Sequence, residues 1–200
     1  MKPLLIHLRD VNPSVCYAWQ EAFAGVANVD VAHGDIFAES ADAVISPANS
    51  FGFMDGGIDL VYSQRFGWQL QKRLQEVIRF SFSGELPVGM ALIIETSNEG
   101  IPYLVSAPTM RVPENVAHTA NAFLAFRAAL NAISRHNQTT DRKIESVLCP
   151  GLATAIGEMP ASVCASQMRR AYERWASDEV WSPVTIREAK FDHLDMVEGL

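Results

Sequence analysis

The chain has 200 residues, 48% of them hydrophobic, and a formal net charge of −7, which suits one globular domain with a substantial core. The negative charge opposes general attraction to nucleic acid phosphates, and no apolar run is long enough to span a bilayer or to serve as a secretory signal. Because its three cysteines are few and widely spaced, they argue against a disulfide framework and a zinc site, and we expect a cytoplasmic protein without a metal or other cofactor.

Short apolar runs alternate with helical patterns in the first half of the chain. The predicted elements are a strand at residues 4–8, a helix at 13–24, strands at 28–32 and 42–46, and helices at 58–66 and 68–80. A glycine-rich segment, residues 49–57, separates the third strand from the helix that follows it. This order is typical of repeated strand–helix units.

The second half begins with two apolar runs that flank the turn sequence Asn98-Glu99-Gly100, which predicts a hairpin. The predicted elements are strands at residues 90–95 and 102–107, a helix at 114–136, a strand at 144–149, a helix after Pro160, and an edge strand at 184–189 followed by a polar, loose end.

Strands that are apolar throughout and alternate with helices indicate a mostly parallel sheet covered on both faces, an α/β protein of three layers, α/β/α. The hairpin makes the sheet mixed. Ligands of such sheets bind beyond the carboxyl ends of the strands. We therefore expect the site in the segments that follow Ile45 and Cys149.

Three segments resemble the macro domain family in their order and separation. They are His33-Gly34-Asp35-Ile36-Phe37, residues 42–67 (DAVISPANSFGFMDGGIDLVYSQRFG) and residues 150–160 (PGLATAIGEMP). The resemblance is strongest over residues 4–175, so we expect a single macro-like domain over residues 1–200 in which 178–200 form a C-terminal extension. It implies the three-layer α/β/α fold with a pocket for ADP-ribose.

Two glycine-bearing segments suit the pyrophosphate of such a ligand. Gly56 and Gly57 let the backbone approach, and the helix that begins near Ile58 directs free N–H groups at the anion. The loop after the late strand repeats this arrangement. Its predicted ligand-binding residues are Gly151, Ala153, Thr154, Ala155, Ile156 and Gly157. Thr154 either donates its hydroxyl to phosphate or caps the loop.

The resemblance assigns roles to three polar residues, each with a structural alternative. Asp35, next to Ile36, would accept a hydrogen bond from the adenine amino group, or else it is a turn residue. Asn49 would contact the distal ribose, or else it is a residue of a left-handed turn, and both can hold. Asp59 would position or activate a water at the distal ribose, or else it compensates the helix dipole.

The sequence also departs from the family. Asp55 stands where many macro domains have a glycine, and it is a second acid/base candidate or a surface loop residue. Ala153 and Ala155 stand where related loops often have glycine, which affects how closely that loop wraps the phosphates. The paired glutamates of the poly(ADP-ribose) glycohydrolase branch have no match. The late loop is similar to the branch that holds ADP-ribose-1''-phosphate phosphatases and terminal ADP-ribose hydrolases.

Two functions follow from the resemblance. The chain is either an enzyme that removes or processes ADP-ribosyl groups, with Asp59 and Asn49 in catalysis, or a reader that binds ADP-ribose without turnover. Its partner would be ADP-ribose or an ADP-ribosylated protein or nucleotide. A third possibility is an interaction protein that has kept the fold and lost the pocket.

Overall fold

The computed structural model describes residues 4–177 and 179–198. The strands are β1 (Leu5–Asp10), β2 (Val29–His33), β3 (Ala43–Ser46), β4 (Leu92–Glu95), β5 (Tyr103–Ser106) and β6 (Ser146–Cys149). The helices are α1 (Pro13–Ala22), α2 (Gly57–Phe66), α3 (Gln69–Ser81), α4 (Asn121–Thr139), α5 (Ala161–Ala176) and α6 (Ile186–Glu198), with one 3-10 turn at Ile36–Ala38.

The six strands form one mixed sheet in the order β2-β1-β6-β3-β5-β4. All neighbouring pairs are parallel except β4 and β5, which form the antiparallel hairpin that the sequence predicts. The carboxyl ends of the five parallel strands therefore lie along one edge of the sheet. This confirms the predicted mixed, mostly parallel sheet of an α/β fold.

Helices cover both faces because side chains alternate along each strand. In β3, Ala43 and Ile45 pack into the larger core with α1, α4 and α5, whereas Val44 packs into a second core with α2 and α3. Trp19 of α1 is fully buried in the first core and Tyr62 of α2 in the second. The three-layer prediction is confirmed.

The predicted start of the long helix is wrong. It begins at Asn121 instead of near residue 114. Side chains of the preceding segment bond to the backbone two residues ahead, with Ala117 N–H donating to Asn115 Oδ1 (3.0 Å) and Asn121 N–H donating to Thr119 Oγ1 (3.2 Å). Such turns compete with helical hydrogen bonding and delay the helix.

The predicted edge strand at residues 184–189 is wrong too, since α6 begins inside it. Thr185 Oγ1 accepts a hydrogen bond from Glu188 N–H (3.2 Å), and Glu188 Oε2 accepts one from Val184 N–H (2.8 Å). This arrangement resembles a capping box, which starts a helix. The end expected to be loose is helical as far as Glu198, so that expectation is wrong there, and residues 199 and 200 lie outside the described residues.

A buried amide links helix α6 to the core. Gln167 of α5 is fully buried; its Oε1 accepts from Phe123 N–H (3.1 Å), and its Nε2 donates to Thr119 O (2.7 Å) and Met196 O (3.0 Å). Met196 itself is buried in the larger core. Among the described residues, no helix is both long and apolar enough to cross a membrane.

Replacing Gln167 by Leu should therefore destabilise the protein. The substitution removes the hydrogen-bond partner of one N–H and two carbonyl groups inside the protein. We expect a loss of about 2–4 kcal/mol in the free energy of unfolding. Urea denaturation measures it. Gln138→Leu, the same change at an exposed position of α4, is the control and should cost little. Equal stability of the two variants would contradict this role of Gln167.

Candidate functional site

One cavity of about 540 Å³ runs across the carboxyl ends of the parallel strands. At one end, the segment after β2 contributes Gly34 and Asp35, and at the other, Thr109 and Met110 follow β5. Neighbouring strands lie about 4.8 Å apart, so five of them make a floor roughly 19 Å long. A cavity of this size and elongated form suits a dinucleotide-sized ligand.

The cavity brings together every residue that the sequence analysis selected as a site residue. They are Asp35, Ile36, Asn49, Gly56, Gly57, Ile58, Asp59, Gly151, Ala153, Thr154, Ala155, Ile156 and Gly157. Asp55 lines it as well. The segments after β2, β3 and β6 thus meet at one place, as the strand-end rule predicts.

The N-terminus of α2 opens onto the cavity through two glycines. Gly56 caps the helix in an extended conformation, and Gly57 has φ +54°, a left-handed value that favours glycine. A Cβ at either position would meet no atom within 4 Å, so the backbone is open to the cavity. The first N–H groups of a helix have no intrahelical acceptor and carry the positive end of its dipole. This end of α2 is therefore suited to an anion.

The loop after β6 faces the same cavity and has no room for larger residues at its two glycines. A Cβ on Gly151 would lie 2.4 Å from Thr154 Oγ1 and 2.7 Å from Asp10 Oδ2, and one on Gly157 would lie 2.5 Å from Ala153 O. Ala153 takes the left-handed φ of +63°. The loop thus forms a tight turn with alanine in a backbone conformation that glycine usually occupies.

Sequence reasoning missed Asp10, which fixes this loop. Its Oδ2 accepts a hydrogen bond from Gly151 N–H (3.0 Å), and its Oδ1 accepts one from Asn12 N–H (2.8 Å). Asp10 ends β1, which neighbours β6, and it lines the cavity. The signal was present in the sequence, because the strand-end rule applies to the first strand as much as to the others.

Carboxylates outnumber cations around the cavity. Asp10, Asp35, Asp55 and Asp59 line it, and Arg9 is the one basic residue of its described lining. Arg9 is buried and already forms ion pairs with Asp30 and Glu39. Any anion bound here would therefore depend on backbone N–H groups rather than on lysine or arginine side chains.

Asp59 lies in the first turn of α2 and is 7% exposed. Burial raises the pKa of its carboxyl to about 7, and the hydrogen bond that Ser46 Oγ donates to Oδ1 opposes this rise. A carboxyl with a pKa near neutrality can both accept and return a proton under cellular conditions. Ser46 ends β3, so the sheet itself determines how this carboxyl is oriented.

Asn49 and Asp35 both have structural hydrogen bonds. Asn49 Oδ1 accepts from Phe51 N–H (3.1 Å) and Phe53 N–H (3.3 Å), and its Nδ2 donates to Phe53 O (2.9 Å). Asp35 Oδ1 accepts from Phe37 N–H (2.9 Å) and caps the 3-10 turn. Both side chains thus hold their own loops, and their roles toward a ligand stay predictions.

The raised pKa of Asp59 predicts how stability depends on pH. The folded protein holds this proton up to about pH 7, whereas an unfolded aspartate releases it near 3.8. Because the folded state binds more protons between these values, stability should fall as the pH rises from 4 to 7, by at most about 1.4 kcal/mol per unit. Asp59→Asn should lack this pH-dependent loss of stability, so the variant should gain stability relative to wild type toward pH 8. Urea denaturation at pH 4, 6 and 8 measures the difference; parallel curves would contradict a buried, neutral Asp59.

Comparisons with known proteins agree with this geometry. The family model for the macro domain matches residues 45–168. A macro domain-containing protein of Listeria monocytogenes is 24% identical over 165 residues, covering 82% of this chain and 88% of that protein.

Among solved structures, a mutant Oceanobacillus iheyensis macrodomain with ADP-ribose has a TM-score of 0.61 at 18% identity, covering 74% of this chain and 77% of that one. DarTG of Thermosipho africanus in complex with ADP-ribose has a TM-score of 0.57 at 16% identity, covering 80% of this chain and 44% of that one. These similarities show the fold. Because the family model matches more than half of the chain, this protein belongs to the macro domain family.

Proposed function

We propose that the cavity binds ADP-ribose, or an ADP-ribosyl group carried by a protein or a nucleotide. The observation that carries the proposal is that the N-terminus of α2, which is suited to an anion, and the loop after β6 line one elongated cavity. A pyrophosphate between them would leave space on both sides along the strand ends. The two solved structures with ADP-ribose have a similar fold and support this choice.

In the proposed orientation the adenine lies at the β2 end, where Asp35 and Ile36 line the cavity. The Oδ1 atom of Asp35 is used by its own turn, and its Oδ2 has no partner among the described residues, so it can accept from the adenine amino group. The distal ribose then lies at the opposite end, beside Asn49 and Asp59. The extension at residues 178–200 is proposed to belong to the same domain, since Met196 packs into its core.

We further propose that the protein hydrolyses the bond at the distal ribose C1''. Asp59 would orient a water and take its proton as that water attacks C1'', while the departing group leaves with its bonding electrons and is protonated from solvent. Holding adenine and pyrophosphate fixed supplies the positioning that such a step needs. The alternative is a reader without turnover. It is favoured because Asp59 is buried and one of its carboxylate oxygens already accepts a hydrogen bond from Ser46.

Binding is tested by calorimetric titration with ADP-ribose, with ADP and AMP as comparisons. Ile156→Glu places a negative charge on the loop after β6, at a residue that lines the cavity and is 50% exposed. We expect at least about tenfold weaker binding of ADP-ribose. Ile186→Glu makes the same charge change on α6, where the side chain is 74% exposed, and should leave the affinity unchanged. If wild type binds no ADP-ribose at millimolar concentration, the chain is a macro-like scaffold with another role.

Turnover separates the enzyme from the reader. If Asp59 acts on water, Asp59→Asn should abolish hydrolysis of ADP-ribosylated protein and keep ADP-ribose binding. The wild-type rate should rise with pH through about 7, because the ionised carboxylate is the form that accepts a proton. Ser46→Ala removes the bond that lowers the pKa of Asp59 and should move this profile to higher pH. Binding without turnover in wild type would establish the reader instead.

A further inference from the structure

Three of the four carboxylates in the cavity already have protein donors. Asp10 accepts from Asn12 and Gly151, Asp35 from Phe37, and Asp59 from Ser46. Asp55 differs from them: in the part of the chain that the structure describes, it has neither a hydrogen bond nor an ion pair. Its carboxylate is therefore available to whatever enters the cavity.

The position of Asp55 determines which part of a bound ligand its carboxylate can contact. It is exposed and directly precedes Gly56, the N-cap of α2, four residues before Asp59. It belongs to the segment after β3, whose neighbours in the sheet are β6 and β5, and it lines the cavity together with Asn49 and Asp59, beside which the distal ribose is proposed to lie. It is thus placed to face the outer end of the ligand.

Among the described residues, the two arginines nearest to the cavity are already paired and do not offset this charge. Arg9 is paired with Asp30 and Glu39. Arg111 follows β5 but does not line the cavity; its guanidinium binds Glu85 through two hydrogen bonds (2.8 and 3.0 Å) and lies over the Phe51 ring. The outer end of the cavity therefore carries negative charge.

We propose that Asp55 is a specificity-determining residue that selects ADP-ribosyl ligands whose distal ribose carries no further negative charge. The proposal rests on the binding function proposed above. The carboxylate accepts a hydrogen bond from a sugar hydroxyl or from an uncharged or cationic substituent, and it repels a terminal phosphate, which is close to a dianion at pH 7. Of the two kinds of substrate considered from the sequence, ADP-ribose-1''-phosphate is the one disfavoured.

The repulsion should be moderate because Asp55 is exposed. A carboxylate near an exposed dianion is screened by water and salt, so the expected discrimination is roughly tenfold at low ionic strength and less at high salt. A structural role of Asp55 at the start of α2 would change stability and would not distinguish two ligands.

The test compares the affinities of ADP-ribose and ADP-ribose-1''-phosphate by calorimetry in wild type, Asp55→Asn and Asp55→Gly. Wild type should bind ADP-ribose roughly tenfold more tightly, and both variants should reduce that ratio to within about threefold. Asp141→Asn is the charge-matched control, because Asp141 is exposed in the segment before β6, at the opposite end of the sheet. It should keep the wild-type ratio.

Equal affinities in wild type, or an unchanged ratio in both Asp55 variants, would overturn the proposal while leaving ADP-ribose binding intact. If wild type binds neither ligand, the binding function fails and this inference falls with it. The two failures are therefore distinguishable. A ratio that persists in 1 M salt would also contradict an electrostatic origin.

Discussion

The position of β6 between its neighbours is the constraint on which the site depends, and an aspartate fixes each end of this strand. At its start, Asp42 Oδ2 accepts from Glu145 N–H (2.8 Å), Ser146 N–H (2.9 Å) and Ser146 Oγ (3.0 Å). At its end, Asp10 accepts from Gly151 N–H. Since β6 pairs with both β1 and β3, the loop after it is fixed in position relative to the segments on either side.

A second constraint is that the cavity has many carboxylates, whereas the ligand proposed for it is an anion. A flexible lysine or arginine side chain can attract an anion from many positions, whereas backbone N–H groups bind an anion only where the chain places them. The N-terminus of α2 and the loop after β6 must therefore be held firmly in position. For the loop, the hydrogen bond from Gly151 N–H to Asp10 contributes to this, and a larger residue at Gly151 or Gly157 would displace it.

Most of the fold could be predicted from the sequence, because apolar runs, helical periodicity and turn residues agree with one another over residues 4–177. The exceptions have local causes. The segment before α4 was predicted to be part of that helix, but the hydrogen bonds of Asn115 and Thr119 hold it in turns. Residues 184–189 have apolar residues that suggested a strand, whereas the hydrogen bonds of Thr185 and Glu188 start a helix.

Many residues that line the cavity, though not Asp10, could be predicted from the resemblance to macro domains and from the glycine-rich segments at strand ends. The sequence could not provide how each side chain is used. Asn49 and Asp35 bond to their own loops, and Ser46 donates to Asp59. These hydrogen bonds depend on three-dimensional contacts that the spacing of residues in the sequence does not reveal. The raised pKa of Asp59 has the same origin, since burial is a property of the packed core rather than of the motif.

The left-handed alanine at position 153 has a consequence for the energetics of recognition. A glycine there would leave the free loop many accessible conformations, which binding would have to remove. Alanine restricts them, and the fold compensates for the strained backbone through the bond from Met159 N–H to Ala153 O (3.0 Å). The loop is thus preorganised, and binding an anion there would cost less loop conformational entropy than with a more flexible glycine loop.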